Sequence, residues 1–304
     1  MMNQKTMNKI LFAGSGYFAA LQIIGLLKKY KNLEIITQKN DNPVKGEIKN
    51  LGLTVYEVSN KKELEETLES LKPDLLIVSD FGIILSPKSL SVPKLTINTH
   101  PSLLPKYRGP SPYISALLNG DKETGVTIIK MTEGIDEGPI YLQEKMTITN
   151  NENQISLRKK LADLTFKMLI DNLENIYKGT IKPIPQDNNK ANYTKLFTKE
   201  DGKINWQENA EVIERKIRAL NPWPGTFTFF KLKSGKELRV KILNAYIEKN
   251  NDLEIDRLKI ENDKLKIKAL DHYLVITKIQ PEGKKGMNIK EFLNGYRNIL
   301  SFTE

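Results

Sequence analysis

The sequence predicts two domains: an α/β domain built on a parallel sheet, then a smaller domain of short strands closing into a β-barrel. Three observations predict this. Over residues 9–78, short apolar runs alternate with segments whose apolar residues recur at helical spacing, the pattern of strands joined by crossover helices. Residues 181–194, I-K-P-I-P-Q-D-N-N-K-A-N-Y-T, carry prolines and polar side chains without any period, as a linker does. After residue 226, brief alternating runs follow one another with turn residues between them, as in a barrel or sandwich. A length of 304 residues suits two such domains.

Taken in order, a strand over 9–13 leads through the turn Gly14-Ser15-Gly16 into a helix over 17–30 and a strand over 33–37. A helix over 43–51, a strand over 53–58, a helix over Lys61–Leu71 and a strand over 74–78 repeat the unit. Leu75-Leu76-Ile77-Val78 is apolar throughout, which marks a central strand covered on both faces. Gly14-x-Gly16-x-x-Ala19 loosely matches the dinucleotide-binding fingerprint. The acidic residue expected after the second strand is missing, with Gln38 and Lys39 in its place. A glycine turn that lets the helix pack close to its strand is the better reading.

An apolar strand over 95–97 then delivers Asn98 and His100, followed by a Pro-rich loop over 101–112, a short helix and a strand over 125–131. Asp136 stands between Gly134 and Gly138. A strand over 140–148 precedes a helix over Gln154–Lys178, whose core face is read as Leu157, Leu161, Leu164, Met168, Ile170 and Leu173. Beyond the linker, a helix over 209–219 precedes strands over 226–232, 237–246, 258–260, 265–270 and 273–279 and a closing helix over 287–295. The expected domains are 1–182 and 204–304, joined by 183–203.

Composition excludes several functions. With 39% hydrophobic residues the chain can bury a core, yet no run approaches 18 apolar residues, so no membrane-spanning helix is expected. The first residues run into an apolar strand without a signal-type segment, which predicts a cytoplasmic protein. The absence of cysteine removes disulfides, thiolate catalysis and zinc–thiolate sites, and with two distant histidines no metal site is expected. The formal net charge of +10 suits a polyanionic partner, although a Lys-, Asn- and Ile-rich, Arg-poor chain reaches such a charge from composition alone. From Lys195 onward 22 Lys/Arg stand against 16 Asp/Glu, so the second domain is modestly basic.

The stretch 95–140 carries the chemistry. Asn98 and His100 are two residues apart, so an extended backbone projects both side chains to one side. This is also the carboxyl edge of the sheet, where open α/β folds bind ligands. An amide can donate to an oxyanion, an imidazole can move protons near neutral pH, and the Asp136 carboxylate can orient that imidazole. These are parts of an acyl-transfer site in which an amine attacks a bound acyl group directly. Each residue also has a plain structural reading, and Ser102 beside His100 does not amount to an activated nucleophile.

The segments N-T-H-P-S-L-L-P-K-Y-R-G, G-D-K-E-T-G-V-T-I and G-I-D-E-G resemble the formyltransferases that use 10-formyltetrahydrofolate. The resemblance implies a Rossmann-like catalytic domain, catalytic roles for Asn98, His100 and Asp136, and folate contacts from Ser102-Leu103-Leu104-Pro105. I-N-W-Q at 204–207, I-R-A-L-N-P-W-P-G at 217–225 and I-Q-P-E-G-K-K-G-M-N-I-K-E-F-L-N-G at 279–295 resemble the methionyl-tRNA formyltransferase branch. That implies an OB-like second domain that grips initiator methionyl-tRNA. Lys39, Lys45, Lys195, Lys199, Lys203, Arg215 and Arg218 are then candidate phosphate contacts, and a monomer is expected. Amino-sugar-nucleotide formyltransferases share the catalytic motifs, and a non-catalytic tRNA-binding protein is a third reading. Three departures stand out: Gly16 where the family usually has proline, Asp80 where alanine is common, and only K-N-D-N-P-V-K between Gln38 and Gly46, where relatives carry a longer basic loop.

Overall fold

The computed structural model describes residues 7–232, 235–249, 257–296 and 300–302. The chain divides into two units, one through Tyr113 with Lys122–Ile148 and Ile155–Lys195, the other made of Ile114–Asp121, Thr149–Gln154 and the chain from Leu196. The predicted linker thus supplies residues to both units.

The elements up to residue 178 are β1 (Ile10–Ala13), α1 (Tyr17–Leu26), β2 (Glu34–Gln38), α2 (Pro43–Ile48), β3 (Val55–Val58), α3 (Lys61–Leu71) and β4 (Leu75–Val78), then α4 (Pro87–Ser91), β5 (Leu95–His100), α5 (Pro112–Asn119), β6 (Glu123–Lys130), β7 (Ile140–Thr147) and α6 (Gln154–Lys178). The strand order is β3-β2-β1-β4-β5-β6-β7. β1 and β4, all apolar and fully covered, sit at the centre, as continuous apolar strands must. The first five strands are parallel, but β6 runs antiparallel to β5 and β7 antiparallel to β6. The sheet is therefore mixed rather than purely parallel. An inner strand as apolar as β6 reads the same in either direction, so its orientation is invisible to periodicity. The sequence reading also passes over α4, a single turn capped by Ser86, whose Oγ accepts from Ser89 N at 3.1 Å.

On α6 the buried stripe runs Leu157, Leu161, Thr165, Leu169, Leu173 and Ile176, while Leu164 and Ile170 are only half-buried. The expected face is thus corrected at those two positions. Thr165 joins the stripe because its hydroxyl donates to Leu161 O at 2.7 Å and so enters the core satisfied.

β1 lies between β2 and β4, so the connections reverse direction at the β1/β4 edge, the point at whose carboxyl side open α/β sheets bind ligands. Ser15 N and Gly16 N donate to Asp80 O at 2.9 and 3.0 Å across that edge. At the opposite end Asp74 ties β4 to the start of β1, its Oδ2 accepting from Asn8 N and Lys9 N at 2.8 and 3.0 Å.

In the second unit come α7 (Ala210–Leu220), β8 (Phe227–Leu232), β9 (Glu237–Glu248), β10 (Leu258–Glu261), β11 (Lys264–Lys268), β12 (Tyr273–Pro281), β13 (Met287–Asn288), α8 (Ile289–Tyr296) and β14 (Leu300–Phe302). The antiparallel order is β10-β11-β12-β9-β8-β14, with β13 added to β12. A barrel-like sheet of this kind fits the predicted second-domain fold. Ile213 and Ile217 of α7 and Phe292 of α8 bury against Phe230, Val240, Ile242 and Ile276 of the sheet. The Asn221 amide ties the end of α7 to the sheet, donating to Ile217 O at 2.8 Å and Ile242 O at 2.9 Å. No helix among the described residues is long and apolar enough to cross a membrane.

Candidate active site

β5 is held in register on both sides, with Val78 opposite Asn98 on β4 and Thr127 opposite His100 on β6. This fixes Asn98 and His100 at the carboxyl edge, two residues apart on one face. Asp136 comes from the turn between β6 and β7. Asn98 Nδ2 donates to Asp136 Oδ1 at 2.9 Å, and Asp136 Oδ2 lies 3.4 Å from His100 Nδ1. Gly109 N donates to the same Oδ2 at 2.8 Å. The structure therefore brings the three predicted residues into one cluster.

His100 is 4% exposed, and its Nε2 is 2.8 Å from Tyr107 O. A carbonyl only accepts, so Nε2 carries a proton and Nδ1, facing the carboxylate, is the nitrogen at which a proton can be exchanged. Asn98 has two N–H groups; Asp136 takes one, and the other is available to a ligand. The turn that supplies Asp136 is tightly constrained. Asp136 has φ +54°, and a Cβ on Gly138 would lie 1.7 Å from Lys130 O, so only glycine fits there.

The segment 102–105 is shaped by its own hydrogen bonds. Ser102 is fully buried and donates to Lys106 O at 2.6 Å, so its hydroxyl organises the loop. Thr127 Oγ1 accepts from Leu104 N at 3.1 Å, and Gln143 Nε2 donates to Leu104 O at 2.8 Å. Leu104 is buried and Leu103 half-buried, and the Leu104–Pro105 peptide is cis.

Several of the basic candidates are paired within the fold. β2 and α2 are separated only by residues 39–42, a turn in which Asn42 Oδ1 accepts from Lys45 N at 3.2 Å. Lys39 pairs with Glu63 at 3.0 Å and Lys45 with Glu57 at 2.9 Å. Lys195, Lys199 and Lys203 are exposed. Arg218 is engaged at both ends of its guanidinium, by Glu214 and by Glu152 O, each at 2.6 Å. Arg215 donates to Leu118 O at 3.2 Å.

Two departures noted in the sequence prove to be one feature. A Cβ on Gly16 would stand 1.6 Å from Asp80 Oδ2, so the Asp80 carboxylate occupies the space a side chain at 16 would need. Asp80 itself has φ +47° and accepts from Phe18 N, capping α1, whose own N-cap Gly16 has no side chain to do so. Solvent reaches Asp80. Its deep setting nevertheless pushes the carboxyl pKa up, against the pull of the Phe18 N–H and the Arg158 charge. Arg158 stacks over the Tyr17 ring at 4.4 Å, and burial, reinforced by the Asp80 charge, pushes the Tyr113 phenol up to about 12. Each departure was visible in the sequence, but not that the two are in contact.

Sequence reasoning also missed Arg108 and Gln186. Arg108 is 1% exposed, and Gln186 Oε1 accepts from its Nη2 at 2.8 Å and its Nε at 3.2 Å. Gln186 Nε2 donates to Asp136 O and to Gly138 O, both at 2.8 Å.

Residues 14–173 match the formyl transferase domain and residues 196–297 the formyl transferase C-terminal domain. The methionyl-tRNA formyltransferase of Dictyoglomus thermophilum is 38% identical, the alignment covering 95% of this chain and 97% of that relative. The chain belongs to the methionyl-tRNA formyltransferase family. The member from Kosmotoga olearia is also 38% identical, with 94% of this chain and 96% of that relative covered. Among solved structures, the N-formyltransferase from Helicobacter canadensis in complex with folinic acid and dTDP-3-aminofucose matches with TM-score 0.67 and 22% identity over 90% of this chain and all of that one. HypX from Aquifex aeolicus in complex with tetrahydrofolic acid matches with TM-score 0.68 and 18% identity, covering 98% of this chain and 51% of that one. At such identities these two structures show a shared fold. The family relation makes this chain a formyl-group transferase, with its cluster where β5 meets the β6–β7 turn.

Proposed function

We propose that the protein transfers the formyl group of 10-formyltetrahydrofolate to the α-amine of initiator methionyl-tRNA. The single observation that carries this is the Asn98–Asp136–His100 cluster within a chain that aligns end to end with methionyl-tRNA formyltransferases. The neutral amine attacks the formyl carbon, a tetrahedral oxyanion forms, and the carbon–nitrogen bond to the folate breaks as that nitrogen takes up a proton. The second N–H of Asn98 donates to the oxyanion, as Asp136 already holds the first. His100 exchanges protons through Nδ1, because Tyr107 O keeps Nε2 protonated. Asp136, gripped by Asn98 and by Gly109 N, stabilises the imidazolium that forms.

The loop 102–105 forms the wall beside which the folate binds, and exposed lysines such as Lys195, Lys199 and Lys203 meet tRNA phosphates. The tight turn 39–42 supports a second reading, an amino-sugar-nucleotide acceptor, since it leaves no long basic loop to reach a tRNA acceptor end. The extended identity to tRNA-dependent relatives through the second domain favours the first. Replacing His100 by Ala tests the mechanism: formyl transfer should fall by about 10²-fold or more, with tetrahydrofolate binding kept. Unchanged turnover would refute it.

A further inference from the structure

Residues 184–194 contain no α-helix or long strand, yet they touch both walls of the cluster. Ile184 and Ile140 exchange backbone hydrogen bonds of 2.7 and 2.8 Å, which lays the segment along the start of β7. Asn192 O accepts from Arg108 N at 2.9 Å, Arg108 O accepts from Thr194 N at 2.7 Å, and Asn192 Oδ1 accepts from Tyr107 N. These bonds fix residues 107–109, which supply the carbonyl that holds His100 and the N–H that holds Asp136. On the other wall, Gln186 grips the carbonyls of Asp136 and Gly138 with one amide nitrogen. Its oxygen is locked by the buried Arg108 guanidinium, which also donates to Asn188 Oδ1 at 2.7 Å and Tyr193 Oη at 3.1 Å and pairs with Glu137 Oε1 at 3.5 Å.

We infer that this segment is a strap that sets the position of the Asp136 carboxylate, and that Gln186 is the positioning residue through which it acts. The inference rests on reading the Asn98–Asp136–His100 cluster as the transfer site. A non-glycine residue at φ +54° persists only where its surroundings over-determine it. Gln186 supplies that constraint on the backbone of Asp136 itself, and Gly109 N supplies it on the side chain. The strap joins the two, because Arg108 bonds to Gln186 and Gly109 follows Arg108 in the chain. Losing the amide donor frees the turn to relax, and the carboxylate then moves off its 3.4 Å approach to His100 Nδ1.

Two variants of the full-length protein test this. Gln186→Glu keeps an oxygen for Arg108 but turns an acceptor toward two carbonyls. Gln186→Met keeps the volume and removes every hydrogen bond. His100 and His272 are the only histidines, so ring resonances of 15N-labelled protein report the contact with or without turnover. A His100 ring shift in either folded variant, with His272 unmoved, supports the strap. In the transfer assay kcat should fall on the order of 10²-fold, with KM for the formyl donor within about twofold of wild type. His100 resonances at their wild-type positions in both folded variants would overturn the inference. A wild-type protein that formylates nothing would instead defeat the proposed reaction, while the resonance comparison would still decide the role of Gln186.

Discussion

At the scale of single residues, the cluster shares one carboxylate between an amide and an imidazole. Asn98 is 2.9 Å from one Asp136 oxygen and His100 is 3.4 Å from the other, so removing any member disturbs the other two. Asn98→Ala should lower kcat by about 10²–10³-fold through loss of the oxyanion donor, with little change in the melting temperature; steady-state kinetics beside a thermal melt checks both. The second residue-scale prediction concerns Gly16 and Asp80. Gly16→Ala should destabilise the fold by about 1–3 kcal/mol, since the new Cβ collides with the Asp80 carboxylate. In an Asp80→Gly background, where the carboxylate is gone and the φ of +47° suits glycine, the same change should be nearly neutral. A double-mutant cycle by urea denaturation measures this coupling, and strictly additive effects would contradict it. The meeting of Asn98, His100 and Asp136 in one cluster was legible in the sequence, because the motifs carry all three and the two on β5 stand two residues apart and share a face. The Asp80–Gly16 contact was not, since it depends on where a side chain goes from a left-handed backbone.

Elements repeat the lesson with different physics. Strands and helices up to β5, α4 apart, were legible because their apolar patterns are displayed in the sequence. The antiparallel turn of β6 and β7 was not, because an apolar inner strand carries no mark of direction. Nor was the segment 184–194: its backbone bonds to the start of β7 at one residue and otherwise to loops, which leaves no period to read. One element-scale contact gives a pH test. Lys94, 2.6 Å away, and the N–H groups of Lys9 and Asn8 hold the Asp74 carboxyl below its usual 3.8. A carboxyl whose folded pKa is depressed contributes stability above its unfolded pKa, and that contribution disappears as pH falls through the folded value. Asp74→Asn should therefore lower stability at pH 7, with the gap to wild type closing below pH 3.8. Urea denaturation curves at both ends of this range check the sign. A gap that widened on acidification would contradict it.

For the whole molecule, the division of labour is between a mixed α/β sheet that holds the cluster and a barrel-like unit with a modest basic surplus. If the basic residues engage phosphates, KM for the tRNA should rise on the order of 10-fold or more between about 50 and 200 mM salt, while KM for the folate changes little. The two-unit plan was legible from the change in texture after residue 180, because alternating strand–helix units and short antiparallel strands leave different periodicities. What the basic residues touch was not legible: Lys39, Lys45 and Arg218 all prove to be paired within the fold. The central claim is the acceptor. The most direct measurement is to incubate the protein with 10-formyltetrahydrofolate and, in parallel, charged initiator methionyl-tRNA, charged elongator methionyl-tRNA and an amino sugar nucleotide, and to follow formylation of each by mass. Initiator methionyl-tRNA should be formylated rapidly and the other two only a little. Formylation of the sugar nucleotide with the tRNA untouched would contradict it.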